Sequence, residues 1–427
     1  MDYVICVQAP AYPLTPTSFA TESAFAEHLR ELRRSVGARF SKVVLIAPRL
    51  TEQQYQAKRA HLGTVSFEHD DVLYVPMHET STSAKQFWFT HARSLWRSIS
   101  AAVAGAEIVH SGMADDVWRP ITAMVNVAAW RAGKPVIFVV DIDFRQHTRR
   151  FHQLGIWSLK SFLVNRLFYD PIKWIQVWLA VRMHALVLLK SASMVRDFGR
   201  GRPNVKNFYD TVHSLDDILS DGAFSQRQEW LVDKAAPLTL VYFGRFVPYK
   251  GLDRAIKAVQ LARSQGEDVR LLLLGEGECE EGLRRQVADA ALESAVTFRP
   301  QVSYGDLLFE EMAQAHMSIA TPLVEDTPRA AFDSLARGLP ILAFDISYFR
   351  DLAQDSGGVA LSAWPDPAAM ANELVSLGRD RPRIAAMATR GIAFARGNTQ
   401  GAWMQQRARW VQELTPDLRA TQPCEAP

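Results

Sequence analysis

Cysteine is scarce: Cys6, Cys279 and Cys424 are the only three in 427 residues. Few, odd in number and far apart, they exclude a disulfide framework and fit a reducing compartment. Long hydrophobic runs are also missing. The nearest approach to a membrane span, Trp174 to Leu189, is broken by Gln176, Arg182 and His184, so no transmembrane helix is expected. Charge of one sign is absent too. Lys and Arg number 48 against 46 Asp and Glu, a net charge of +2, which gives no global field for nucleic acid. With 23 Gly and 21 Pro there is no excess of either, which excludes collagen-like and low-complexity chains. No His, Asp or Glu cluster has metal-ligand spacing, so no metal or other cofactor is expected. The start, MDYVICVQAP, is acidic and its apolar run stops at Val7, short for a signal-peptide core. A cytoplasmic protein is the expectation.

What is present is 48% hydrophobic residues in a length that predicts two, at most three, domains. Solid apolar runs recur in the C-terminal half: LTLVYF (238–243), VRLLLL (269–274), VTF (296–298), MSIA (317–320), PILAF (340–344) and VAL (359–361). Runs without alternation suit strands buried on both faces of a parallel sheet. Between them lie helical periods, as in Leu252, Ile256, Val259 and Ala262. The N-terminal half repeats the theme with YVICV (3–7), VVLIA (43–47), VLYV (72–75), EIVH (107–110), PVIFVV (135–140) and ALVLL (185–189). The fold class is therefore α/β, with two doubly wound Rossmann-like domains facing a central cleft. The expected division is an N-terminal domain over 1–210, a linker over 211–235 and a second domain over 236–397. A helix over 398–414 then returns towards the first domain, and 415–427 form a tail.

In such domains ligands meet the loops that follow strands. Three of these loops carry candidates. FGRFVPYKG (243–251) places Gly244, Arg245 and Lys250 between a strand and a helix, where two cations and free amides favour an anion. A solvated basic loop is the plainer reading. LLLLGEGE (271–278) puts Gly275 and Gly277 after a strand but has Glu280 where a dinucleotide fingerprint needs a third glycine. ATPLVEDTPRAAFDSLARGLPILAFD (320–345) offers Glu325, then Thr327 as a cap for a helix opening at Pro328. The amides of Arg329, Ala330 and Ala331 would then point into the crevice. Asp333 in that helix either serves the ligand or pairs with Arg329 or Arg337, four residues away; Glu325 serves it or is a solvated loop acid.

FGRFVPYKG, LLGEGE, VTFRPQV (296–302) and the span from Glu325 to Asp333 followed by LARGLPILA resemble, in order and spacing, the donor half of retaining two-domain (GT-B) glycosyltransferases of family 4. The resemblance covers residues 236–414 and extends to 1–210 only in strand order. It implies that Arg245 and Lys250 hold a nucleotide-sugar diphosphate, that Glu325 contacts the donor sugar and that Asp333 holds the ribose. It also implies that no divalent metal is needed, that configuration is retained, and that the acceptor is lipid-linked or a saccharide. Three positions depart from the family. Asp333 stands where Glu is usual, QAPAYPL (8–14) replaces a glycine-rich turn, and VVDID brings Asp141 where His is frequent. Asp141 acts there as a base or orienting group, or simply caps a turn. Asp141 and Asp143 resemble a metal-binding pair of another glycosyltransferase fold, a role discounted after a buried strand. The rivals are a nucleotide-sugar epimerase or phosphorylase on the same frame and a non-catalytic nucleotide-sugar-binding or scaffold protein.

One segment is independent of these motifs. Residues 144–178 carry Arg145, Arg149, Arg150, Lys160, Arg166 and Lys173 against the single acid Asp170, interleaved with Trp157, Trp174, Trp178 and other rings. That composition fits an anionic membrane surface. It also fits a helix pair packed in the N-terminal core. Peripheral membrane association through Arg149, Arg150, Trp157, Lys160, Trp174 and Trp178 is the expectation carried forward.

Overall fold

The structure, a computed structural model, describes residues 1–414; the tail expected over 415–427 lies outside the described residues. The N-terminal domain is built on β1 (Asp2–Cys6), β4 (Val43–Arg49), β6 (Val72–Glu79), β7 (Ala106–Gly112), β8 (Val136–Val140), β9 (Leu186–Leu189) and β10 (Val205–Asn207). They form one parallel sheet in the order β10-β9-β8-β7-β1-β4-β6. A small antiparallel sheet of β2 (Tyr12–Thr15), β3 (Ser18–Glu22) and β5 (Leu62–Ser66) stands apart from it. The C-terminal domain holds β11 (Leu238–Phe243), β12 (Val269–Leu274), β13 (Val296–Arg299), β14 (Met317–Ala320), β15 (Ile341–Phe344) and β16 (Val359–Ser362), parallel in the order β13-β12-β11-β14-β15-β16. Two doubly wound Rossmann-like domains are what the solid apolar runs require. Val43 to Ala47, Leu186 to Leu189 and Ile341 to Phe344 are buried throughout, because helices cover both faces.

Strand order reverses between β1 and β7 in one sheet and between β11 and β14 in the other. A crevice opens at such a switch point, where neighbouring connections leave towards opposite faces.

The segment read as a linker is half structure. The helix Asp221–Val232 packs into the C-terminal domain through buried Leu231, and buried Arg227 donates to the carbonyls of Gly338 and Ala315. Its run of polar residues reflects a surface helix that turns only Arg227 and Leu231 fully inward. The helix Gln400–Leu414 crosses to the N-terminal domain, where Trp410 and Val411 are buried with Tyr3, Leu29 and Leu32. Gln400 donates to Glu31 there at 2.6 Å.

Candidate functional site

Between the domains lies a cavity of about 930 Å³, bordered by residues that follow all four switch-point strands. Gln8 comes from the end of β1, Gly112 and Met113 from β7, Arg245 and Lys250 from β11, and Asp326 to Arg329 from β14. A side pocket of about 330 Å³ in the C-terminal domain shares Arg245, Lys250, Asp326, Pro328 and Arg329 with it. Three cations converge there, Arg245 and Lys250 from one loop and Arg329 from another.

Backbone pairing sets their positions. The Tyr242 hydroxyl donates to the Arg245 carbonyl at 2.9 Å, the Thr321 hydroxyl to the Lys250 carbonyl at 2.9 Å, and the Leu323 amide to the Tyr249 carbonyl at 2.8 Å. Lys250 forms an ion pair with Asp326. Arg245, exposed, donates to the Tyr249 hydroxyl at 3.3 Å and is otherwise free to meet an anion. Gly244 leaves β11 at φ 144° beside them. Gly275 and Gly277, read as donor-binding glycines, border neither cavity and have a packing requirement of their own. At φ 148° and 155°, added Cβ atoms would lie 2.0 Å from the Gly244 carbonyl oxygen and 2.4 Å from that of Phe246.

The loop after β14 departs from the sequence reading in one respect. Its helix is Ala330–Ala336, not one opening at Pro328, and Arg329 occupies the cap position with helical torsions and no side-chain cap. Thr327 therefore does not cap this helix. Arg329 lines both cavities and Ala330 the smaller one.

Glu325 and Asp333, the two acids read as donor contacts, are buried and border neither cavity. Glu325, 4% exposed, accepts from Arg150 at 2.5 Å and from the Ser347 amide at 3.2 Å. Its second oxygen, Oε2, has no hydrogen-bond partner. Burial raises its pKa, and Arg150 opposes the rise. Asp333 makes no ion pair with Arg329 or Arg337 among the described residues, and its Oδ1 has no partner. Burial pushes Asp333 up to about 7, with Arg329 opposing and Asp217 adding to it.

Asp141 directly follows β8, is exposed and lines the large cavity. Asp143 is buried and gripped by Arg145 at 2.6 and 2.8 Å, so it is spoken for. Among the described residues no group of three or more His, Cys, Asp or Glu is placed to hold a metal ion.

Arg150, read as a membrane base, is corrected most sharply. It is 8% exposed, bonded to Glu325 across the domain boundary, with its guanidinium 5.0 Å from the Trp364 ring centroid. Trp157 also turns inward, against Phe151 at 4.9 Å. Arg149, Lys160, Trp174 and Trp178 stay exposed. No helix is long and apolar enough to cross a membrane among the described residues.

Sequence reading missed Lys190, Asp210 and Arg407, which line the cavity from the N-terminal side with His28 and His110. Lys190 directly follows the run ALVLL, so the rule about loops after strands points at it. Nothing local marks Arg407, which arrives on the returning helix.

Against this geometry the comparisons with known proteins are specific. Residues 225–393 match the family Glycosyl transferases group 1. The chain is 27% identical to the amylovoran biosynthesis glycosyltransferase AmsK of Erwinia amylovora over 146 residues, 33% of this chain and 35% of that one. It is 28% identical over 142 residues to the GDP-mannose:cellobiosyl-diphosphopolyprenol alpha-mannosyltransferase of Xanthomonas campestris, 33% of this chain and 37% of that one. The chain thus spans about a third of the length of the curated relatives it matches. Among solved structures, Anabaena HepE in complex with UDP superposes with a TM-score of 0.63 at 16% identity, covering 97% of this chain and 100% of that one. That likeness places the fold as GT-B.

Proposed function

We propose that the protein is a glycosyltransferase that moves a sugar from a nucleotide-sugar, UDP-linked in the first instance, to a saccharide or lipid-linked acceptor with retention of configuration. The observation that carries this reading is the convergence of Arg245, Lys250 and Arg329 on one cavity at the switch point of the C-terminal sheet. A diphosphate there gains charge-assisted hydrogen bonds. As the sugar–oxygen bond breaks, negative charge grows on the leaving phosphate, and cations already in place stabilise it without reorganising. The leaving oxygen takes the proton of the acceptor hydroxyl on the same face of the sugar. These cations supply the neutralisation for which no metal is invoked.

The buried acids keep a role through the oxygens left unbonded. Glu325 is proposed to accept a donor-sugar hydroxyl at Oε2, with Arg150 and the Ser347 amide fixing Oε1. Asp333 is proposed to accept a ribose hydroxyl at Oδ1. A buried acceptor without a donor is costly, and a ligand hydroxyl relieves that cost. Asp141, exposed in the cavity, is proposed to orient the acceptor.

The acceptor side is proposed to rest on an anionic membrane. Leu159, Leu163, Leu167, Ile175 and Leu179 are exposed along the helical stretch Leu159–Val164, Asn165–Tyr169 and Asp170–Met183, with Trp174 and Trp178 beside them. Exposed Arg149, Lys160, Arg166 and Arg182 flank this stretch, so its charge complements anionic headgroups. Trp118, bonded to Tyr169 at 3.0 Å, extends the face, and Lys173 links it to the cavity mouth.

The deciding experiment is a thermal-shift screen of UDP-, GDP- and ADP-sugars, with and without EDTA, followed by NMR of the anomeric product. Binding raises the melting temperature in proportion to the logarithm of ligand concentration over Kd. Free isomerised sugar or sugar phosphate as product would refute transfer, and binding without turnover in any acceptor pool would favour a scaffold.

A further inference from the structure

Lys190 and Arg407 are the strangest cations in the molecule. The Lys190 side chain is 6% exposed and that of Arg407 21%. Each lies 3.8 Å from the same acid, Asp210, and neither side chain makes a hydrogen bond to another described residue. The Nε of Arg407 is buried without a partner. Both sit instead against the face of Phe208, at 5.6 and 5.2 Å. The two histidines that line the cavity with them add no charge: burial pushes His110 down to about 3, and burial with Arg407 lowers His28. Two cations thus share the Asp210 carboxylate, and with Arg329, which acts on Asp210, and Asp141, which acts on His28, the charges on this wall of the cavity still sum to a net positive.

Holding an ammonium out of water without hydrogen bonds is unfavourable, and a fold that needed only stability would have an apolar residue there. Resting on the transferase reading above, we infer that Lys190 and Arg407 form a second anion subsite that receives a phosphate group carried by the acceptor. Its cations come from other elements than the donor cations: Lys190 follows β9 in the N-terminal domain and Arg407 arrives on the helix Gln400–Leu414, whereas Arg245 and Lys250 follow β11 in the C-terminal sheet; Arg329, after β14, is the donor cation near enough to act on Asp210. A tetrahedral phosphate oxygen pair matches a guanidinium bidentately, and the ammonium supplies the third contact. Asp210 restrains both cations, so they are placed before the ligand arrives. The acceptor class is therefore a sugar phosphate or a lipid-linked diphosphate.

The test titrates inorganic phosphate into the full chain by calorimetry, with and without a saturating nucleoside diphosphate. Phosphate should still bind the nucleotide-saturated protein. Its Kd should rise at least about tenfold in Lys190→Met and in Arg407→Gln and stay unchanged in Arg245→Ala. Unligated Lys190→Met should keep its nucleotide affinity and its far-ultraviolet circular dichroism, with a loss of Tm limited to that of weakening the Asp210 pair, which Arg407 still holds. Competition then separates the sources: displacement by a hexose phosphate assigns a soluble acceptor, and displacement by farnesyl diphosphate a lipid-linked one. Displacement by neither, loss of phosphate binding when nucleotide is present, or an unchanged Kd in Lys190→Met overturns the subsite. If no nucleotide binds the wild type, the transferase reading fails, while the phosphate titration of Lys190→Met still reports on these cations.

Discussion

Arg150→Met is the perturbation on which the structure and the sequence disagree most openly. A basic residue in an arginine-rich, aromatic segment suggests a surface cation whose loss leaves folding untouched. The structure has Arg150 8% exposed and 2.5 Å from Glu325, itself 4% exposed, with one further bond to Glu325 from the Ser347 amide. Removing one partner of a buried pair leaves an uncompensated charge, at a cost of about 3–5 kcal/mol. The lost stacking on Trp364 adds roughly 1 kcal/mol. For a domain of this size each kcal/mol lowers Tm by about 2–4 °C, so calorimetry should show a drop of at least about 6 °C. The effect has a definite pH sign. Burial already raises the Glu325 pKa above 4.5, and losing Arg150 raises it further. A raised carboxyl binds its proton more tightly when folded, so stability falls as pH rises from the unfolded pKa towards the folded one. The gap between Arg150→Met and the wild type should therefore be smallest near pH 4.5 and widen towards pH 8. Arg150→Met combined with Glu325→Gln should recover much of the loss, since the stranded charge is gone. A variant with wild-type Tm at both pH values, but with weakened sedimentation on anionic vesicles, would refute this reasoning and return Arg150 to the surface.

Asp333 provides a second pH signature. With its pKa near 7 in the folded state and 3.8 as the ordinary value, it should cost on the order of 4 kcal/mol of stability as pH rises from about 4 to about 7. Asp333→Asn should flatten that part of the Tm–pH curve, and an unchanged slope would contradict it. Arg245→Ala should weaken nucleoside diphosphate binding by about 1.5–3 kcal/mol with little change in Tm, measured by calorimetry. Lys250→Ala should do the same but also lower Tm, because it strands Asp326. Arg149→Glu with Lys160→Glu, leaving Arg150 intact, should reduce binding to anionic vesicles by more than about 2 kcal/mol without altering donor affinity. Salt should weaken the wild-type interaction without abolishing it, since Leu163, Leu167 and Trp178 contribute an apolar term that salt does not screen. Equal sedimentation on neutral vesicles would show that the bases are idle.

Much of the architecture was legible because it follows from short-range pattern. VVLIA, ALVLL and PILAF are solid apolar runs, and only strands covered on both faces bury every residue in such a run, so parallel sheets follow. The loops after β11 and β14 were legible for the same reason: a strand that ends at a cation or an acid exposes it at the crevice. The antiparallel sheet of β2, β3 and β5 was not, because Tyr12–Thr15 and Ser18–Glu22 are short and carry proline and small polar residues that read as loop. Side-chain partners were legible least of all. Arg150 and Glu325 are 175 residues apart, and Arg407 meets Lys190 and Asp210 only because the last described helix crosses back to the first domain. Local sequence determines which residues can be helix, strand or loop, since those preferences act over a few neighbours. Which cation meets which acid, and whether either is left without water, is decided by how two domains close on one another, and no local period carries that information.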